Sequence, residues 1–149
     1  MKNRRQFYRK GLHQVYAKYY DSLCDLLPEC WQPISSFRSP DEQAKLYAQG
    51  RTEPGVIVTY AKPGLSFHNY GIASDWDYFV DGKYSPLTAE DPLWKEYIDA
   101  VNKVGLKCLE FEKPHNQMDL GVTGKELFDV FSTRGILALD MLIRGAKGY

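Results

Sequence analysis

Tyr8, Leu12, Val15, Tyr19, Leu23 and Leu26 recur at steps of three and four, which predicts one amphipathic helix over residues 6–27 that Pro28 ends. Trp31 to Phe37 reads as a short strand, with Ile34 and Phe37 suited to a half-buried surface. Ser39-Pro40-Asp41-Glu42 predicts a sharp helix start, with Ser39 as cap, Pro40 in the first helical position and Glu42 closing a capping box. Gly50 is the natural stop for that helix. Residues 51–65, punctuated by Pro54-Gly55 and Pro63-Gly64, form a loop with at most one short strand around Val56-Ile57-Val58.

From Ile72 to Val80 the pattern changes to alternation, so that Ala73, Asp75, Asp77 and Phe79 share one face of a strand. Asp81-Gly82 is a hairpin turn signal, with Lys83-Tyr84 starting the return. Asp91-Pro92 opens a helix with Leu93, Tyr97, Val101 and Val104 as its stripe and Gly105 as its stop. Leu106 to Phe111 alternates as a strand that delivers Glu112 and His115. Thr123-x-x-Glu126 is a second capping box, opening a last helix with Leu127, Phe131, Ala138 and Leu142 on one side. The expected architecture is a single α+β domain spanning 1–149, a small, mainly antiparallel sheet packed with helices, with no separate binding module.

Composition narrows the class. Nineteen basic and nineteen acidic side chains cancel, so no global field recruits nucleic acid or a membrane surface. The basic run Lys2, Arg4, Arg5, Arg9, Lys10 reads as a frayed, solvated helix end, with attraction to anionic wall or lipid phosphates as the alternative. No apolar run of signal-peptide length follows it, and none approaches the roughly twenty residues of a membrane helix. Cys24, Cys30 and Cys108 are odd in number and lack a Cys-x-x-Cys pair, which argues against a disulfide framework or a cysteine zinc site.

The chemistry concentrates in two places. The first is Ser66-Phe67-His68-Asn69-Tyr70-Gly71-Ile72-Ala73-Ser74-Asp75, where an imidazole and a carboxylate stand seven residues apart. The second is Glu112-Lys113-Pro114-His115, again a carboxylate close to an imidazole. Imidazole nitrogen and carboxylate oxygen are donors that zinc accepts, and three of them plus a water position make a catalytic site. With only three histidines in the chain, few other arrangements exist. Taken alone the spacing is loose: His68 can equally be a turn histidine capping backbone groups, and Asp77 competes with Asp75. His13 reads as a solvated or structural histidine.

A longer series of residues adds to this. Ser36-Phe37-Arg38-Ser39 with Gln43, then Gln49-Gly50-Arg51-Thr52, Pro54-Gly55, Val58-Thr59 and the Ser66–Asp75 block occur in one order. Together they resemble the zinc peptidases that cut peptidoglycan stem peptides, and within them the L-alanyl-D-glutamate endopeptidase branch found in phage endolysins. That family also includes D-alanyl-D-alanine carboxypeptidases and dipeptidases and shares its fold with hedgehog signalling domains. The resemblance runs over about residues 31–117. It implies a zinc cofactor on His68, Asp75 and His115, and Glu112 as the catalytic carboxylate. It implies Arg38 as the group that steadies the polarised carbonyl, and Ser66 and Gln43 as residues beside the substrate. Asp77 is then left to orient a ligand. Two departures are visible: Lys107-Cys108-Leu109-Glu110-Phe111 replaces the family's Trp-Gly-Gly type turn, which makes Glu110 a rival to Glu112, and Asn116 stands where a phenylalanine is usual.

The implied activity is hydrolysis of stem peptides at L-Ala-D-Glu for bacterial lysis, by a monomer that binds no nucleic acid and has no stable membrane anchor. Such an enzyme is expected to wait in the host cytoplasm and act on the cell wall after release. The alternatives are a D-Ala-D-Ala carboxypeptidase or dipeptidase of the same fold, and a non-catalytic module that keeps the site only to bind.

Overall fold

The computed structural model describes residues 2–146, which fall into two compact units interleaved along the chain. One unit comprises Met1–Phe37 and Gly71–Met118; the other comprises Arg38–Tyr70 and Asp119–Tyr149. The architecture is α+β, a small antiparallel sheet packed with helices, as the alternating and three-to-four periodicities predict.

The first unit holds the whole sheet. Its helices are α1 (Lys2–Tyr8), α2 (Gln14–Leu26) and, counting all helices in chain order, α4 (Trp94–Val104). Its strands are β1 (Trp31–Ser35), β2 (Ala73–Val80), β3 (Lys83–Tyr84), β4 (Lys107–Leu109) and β5 (Glu112–Gln117). The sheet order is β1-β2-β5-β4 with β3 hairpinned onto β2, and every pairing is antiparallel. Asp81 and Gly82 both take positive φ, 49° and 76°, the tight two-residue turn that the Asp-Gly pair signals. The core is aromatic: Trp31 stacks on Tyr97 at 5.2 Å, and Trp76, Tyr16 and Tyr20 are all closed off from solvent.

Three expectations fail in this unit. The helix over 6–27 is two helices, because Gly11 turns at φ 76° and His13 caps α2, its Nδ1 accepting from the Val15 N–H at 3.2 Å. The buried face of α2 accordingly centres on Tyr16 and Tyr20, while Leu26 is largely exposed. The strand over 106–111 ends at Leu109, and a turn at Glu110-Phe111 starts β5, a separate strand that carries Glu112 and His115. The basic N-terminus is not a frayed, solvated end. Arg5 donates to the carbonyl oxygens of Cys24, Leu27, Pro28 and Trp31, so one guanidinium closes the C-terminal end of α2 onto the start of β1. Arg4 donates to the Pro33 carbonyl at 2.8 Å and Arg9 forms a two-pronged pair with Asp21.

The second unit holds α3 (Pro40–Ala48), a 3-10 turn Phe67–Tyr70, and α5 (Gly124–Gly145). Both predicted capping boxes are present, Ser39 with Glu42 and Thr123 with Glu126. The last helix departs from its predicted stripe. Gly135 adopts φ 79°, ψ −177°, breaking the helical register, so Leu139 and Ile143 are buried beyond the kink in place of Ala138 and Leu142. No helix among the described residues is long and apolar enough to cross a membrane.

Arg5 makes the sharpest test of this frame. A lysine ammonium cannot reach four carbonyls spread over a helix end, and a hydrogen bond from a charged donor contributes about 1.5–3 kcal/mol. Arg5→Lys is expected to lower the unfolding free energy by roughly 2–4 kcal/mol, read as a fall in the denaturant midpoint with unchanged slope.

Candidate metal centre

Asp75 and His115 are brought together by strand register. β2 and β5 pair with Asp75 directly opposite His115, and the side chains meet at 3.0 Å between Asp75 Oδ1 and His115 Nδ1. The other ring nitrogen, Nε2, lies 3.0 Å from Gln117 Oε1. Burial pulls the His115 pKa down, but the hydrogen bond and charge of Asp75, the bond to Gln117 and the charge of Glu112 outweigh it and raise the value above the usual imidazole range.

His68 is set by a different device. It lies in the 3-10 turn, where the Ser66 hydroxyl accepts from the His68 N–H at 3.3 Å and the His68 carbonyl accepts from the Arg38 N–H at 3.1 Å. Asn69 locks the same turn: its Oδ1 accepts from the N–H groups of Gly64 and Ser66, and its Nδ2 donates to the Arg38 carbonyl at 2.8 Å. Gly71 leaves the turn at φ 66°, and a Cβ there would lie 2.6 Å from the Gly11 carbonyl oxygen, so only glycine fits.

One ligand atom from each of His68, Asp75 and His115 lies within 4.8 Å of the others. His68 and His115 are buried, and Asp75 nearly so, with 13% of its side chain exposed. Tetrahedral zinc at about 2.0–2.2 Å from its ligands holds them roughly 3.3–3.6 Å apart. The donor set of two imidazoles and one carboxylate fits zinc. A cation on Nδ1 of His115 would take the place of that nitrogen's proton, while Nε2–H remains aimed at Gln117. Gln117 was not anticipated, although its position two residues after His115 on a strand puts it on the same face.

Glu112 is exposed at the start of β5 and its charge acts on His115. Glu110 is exposed in the preceding turn. Arg38 is half-buried, with Nη1 donating to Gln43 Oε1 at 2.9 Å. Gln43 is fully buried, its Nε2 donating to the Ala61 carbonyl at 2.7 Å and to Thr59 Oγ1 at 3.3 Å, so its amide faces protein and not solvent. Ser66 is buried and serves the His68 turn. Asp77 does not orient a ligand: its carboxylate accepts from the Tyr78 and Leu87 N–H groups and from the Tyr84 hydroxyl, which fastens the β2–β3 hairpin and the chain after it. Burial pushes the Cys108 thiol up to about 12, which keeps it protonated and outside the donor group. Asn116 turns to the opposite face of β5 from His115 and bonds Ser74, Tyr16 and Tyr97.

No family model matches the chain. It is similar to the peptidoglycan L-alanyl-D-glutamate endopeptidase CwlK of Bacillus subtilis (strain 168), with 39% identity over 82 residues, which covers 48% of this chain and 47% of the relative. The chain thus spans about half the length of that relative.

Two outcomes are expected. Gln117→Leu leaves the fold intact and weakens zinc binding about 10–100-fold, read by calorimetric titration of chelator-treated protein. In the metal-free protein the raised His115 value means that its pairing with Asp75 stabilises the fold fully below the unfolded value of about 6.5, and that this contribution is lost as pH rises through the folded value. The stability gap between metal-free wild type and His115→Gln is therefore largest on the acid side and closes towards alkaline pH, as thermal melts across pH will read.

Proposed function

We propose that the chain is a zinc-dependent peptidase that hydrolyses peptidoglycan stem peptides at the L-Ala-D-Glu bond and so degrades the bacterial wall. The observation that carries this reading is the His68–Asp75–His115 donor group. The similarity to CwlK, a peptidoglycan L-alanyl-D-glutamate endopeptidase, supports the substrate class and the bond. The resemblance of the Ser66–Asp75 block and of Arg38 to the endolysin branch supports a lytic role.

His68, Asp75 and His115 would hold the ion. Zinc bound there supplies a water of lowered pKa and a Lewis acid for the scissile carbonyl. Glu112, the nearest carboxylate in sequence to His115 that is not itself in the donor group, takes the proton of the attacking water and delivers it to the leaving amine nitrogen. Arg38 Nη1 is held by Gln43 Oε1, so the guanidinium can meet the developing oxyanion without first losing side-chain freedom. Gln43 and Ser66 then act by position: Gln43 holds Arg38, and Ser66 holds the turn that presents His68.

Digestion of purified peptidoglycan followed by mass spectrometry of the fragments tests the reading. New L-alanine carboxyl ends and free D-glutamate amino ends are expected. Release of D-alanine instead would move the assignment to a carboxypeptidase or dipeptidase, and absence of any cleavage by zinc-loaded protein would leave a binding module. Glu112→Gln is expected to keep one zinc per chain and lose hydrolysis by about 10²–10⁴-fold; full activity in that variant would remove Glu112 from the mechanism.

A further inference from the structure

Between α3 and the His68 turn the chain exposes an unusual amount of apolar surface. Val56, Ile57, Val58 and Tyr60 are 74%, 45%, 49% and 85% exposed, four large side chains within five residues. The backbone around them is polarised. The carbonyl oxygens of Val56, Thr59 and Ala61 accept from Gln49 Nε2, Arg51 Nη2 and Gln43 Nε2. Among the described residues no acceptor meets the backbone N–H of residues 56 to 60. The segment is therefore tied down by its acceptors, while its own N–H groups keep their donor capacity.

A cation stands beside that segment. Arg51 lies over the Tyr47 ring at 4.0 Å and donates to the Tyr47 and Thr59 carbonyls, yet no carboxylate pairs with it among the described residues. Gln43 connects the segment to Arg38: the same buried amide bonds Thr59 and Ala61 through Nε2 and Arg38 through Oε1.

We propose that residues 56–60 are the surface on which the acidic peptide of the substrate is laid, its main-chain carbonyls accepting from the free N–H groups and its carboxylate drawn to Arg51. This deepens the peptidase reading and rests on it for the identity of the peptide. A ligand rich in acceptors and negative charge, with small aliphatic groups between them, complements a surface of donors, one unpaired guanidinium and exposed valine and isoleucine. The Gln43 bridge places Arg38 and this surface in one hydrogen-bonded frame, so a peptide seated here is held in register with the residue assigned to the oxyanion.

The test uses the full chain carrying Glu112→Gln, labelled with nitrogen-15 and titrated with a synthetic L-alanyl-D-glutamyl peptide and with its glutamate-amide analogue. The amide resonances of residues 56–60 are expected to shift with the acidic peptide and to shift less with the neutral one. Val58→Glu is expected to weaken binding on the order of tenfold by like-charge repulsion, while Val58→Lys keeps or tightens it. Equal effects of the two substitutions, or no shift at 56–60, would overturn the proposal. So would protein concentration alone producing the same shifts, since the surface would then belong to a second copy of the chain. Digestion of whole peptidoglycan by the unsubstituted chain is read in parallel. Binding at 56–60 without digestion leaves this surface standing and removes the peptidase reading; digestion without binding there does the reverse.

Discussion

The sheet depends on a buried cluster of polar groups behind the candidate metal centre. Asn116 Nδ2 donates to the Tyr97 hydroxyl at 2.7 Å and to the Ser74 carbonyl and hydroxyl at 3.0 Å, while Asn116 Oδ1 accepts from the Tyr16 hydroxyl at 2.5 Å. The Ser74 hydroxyl also accepts from Trp76 Nε1, and Tyr97 passes its own proton to the Pro114 carbonyl. Every donor has an acceptor, which a cluster closed off from water requires, because each buried unpaired group costs about 1–3 kcal/mol. Burial drives the Tyr16 and Tyr97 phenols far above their ordinary range, so both stay neutral donors at any working pH.

The cluster also fixes what lies on the other face. Ser74 pairs with Asn116 in the β2–β5 ladder, and the next pair along is Asp75 with His115. A slip of one residue would expose the Asn116 amide in an apolar core and separate the imidazole from its carboxylate. Asn116 is therefore a hydrogen-bonded latch on this register.

Two kinds of structure place the donor residues. Asp75 and His115 depend on the regular sheet, where one pairing rule sets both. His68 depends on an irregular turn that Ser66, Asn69 and Arg38 tie down by side-chain and local backbone bonds. Removing one of those bonds disturbs only the turn, whereas a change in the ladder disturbs two donors together. The N-terminal arginines serve the same economy. Arg5 closes the end of α2 where the chain has no glycine to do so, a demand that lies in the folded carbonyls and not in the charge pattern.

Local chemistry settled much of this protein in advance. The two capping boxes, the Asp81-Gly82 turn, the alternation of β2 and the stop at Gly105 follow from contacts within four or five residues, and such signals survive without tertiary help. The His68–Asp75 spacing and the Glu112–His115 pair were readable as metal chemistry, though too loosely to exclude Asp77. Only the folded chain decided that Asp77 holds a hairpin, that Gln117 takes the second nitrogen of His115, that Gln43 faces inward to Arg38, and that α2 starts at Gln14. These are choices between partners tens of residues apart, or between two faces of one helix. A side chain's neighbours across a sheet are set by register, and register is a property of two strands together that neither carries alone.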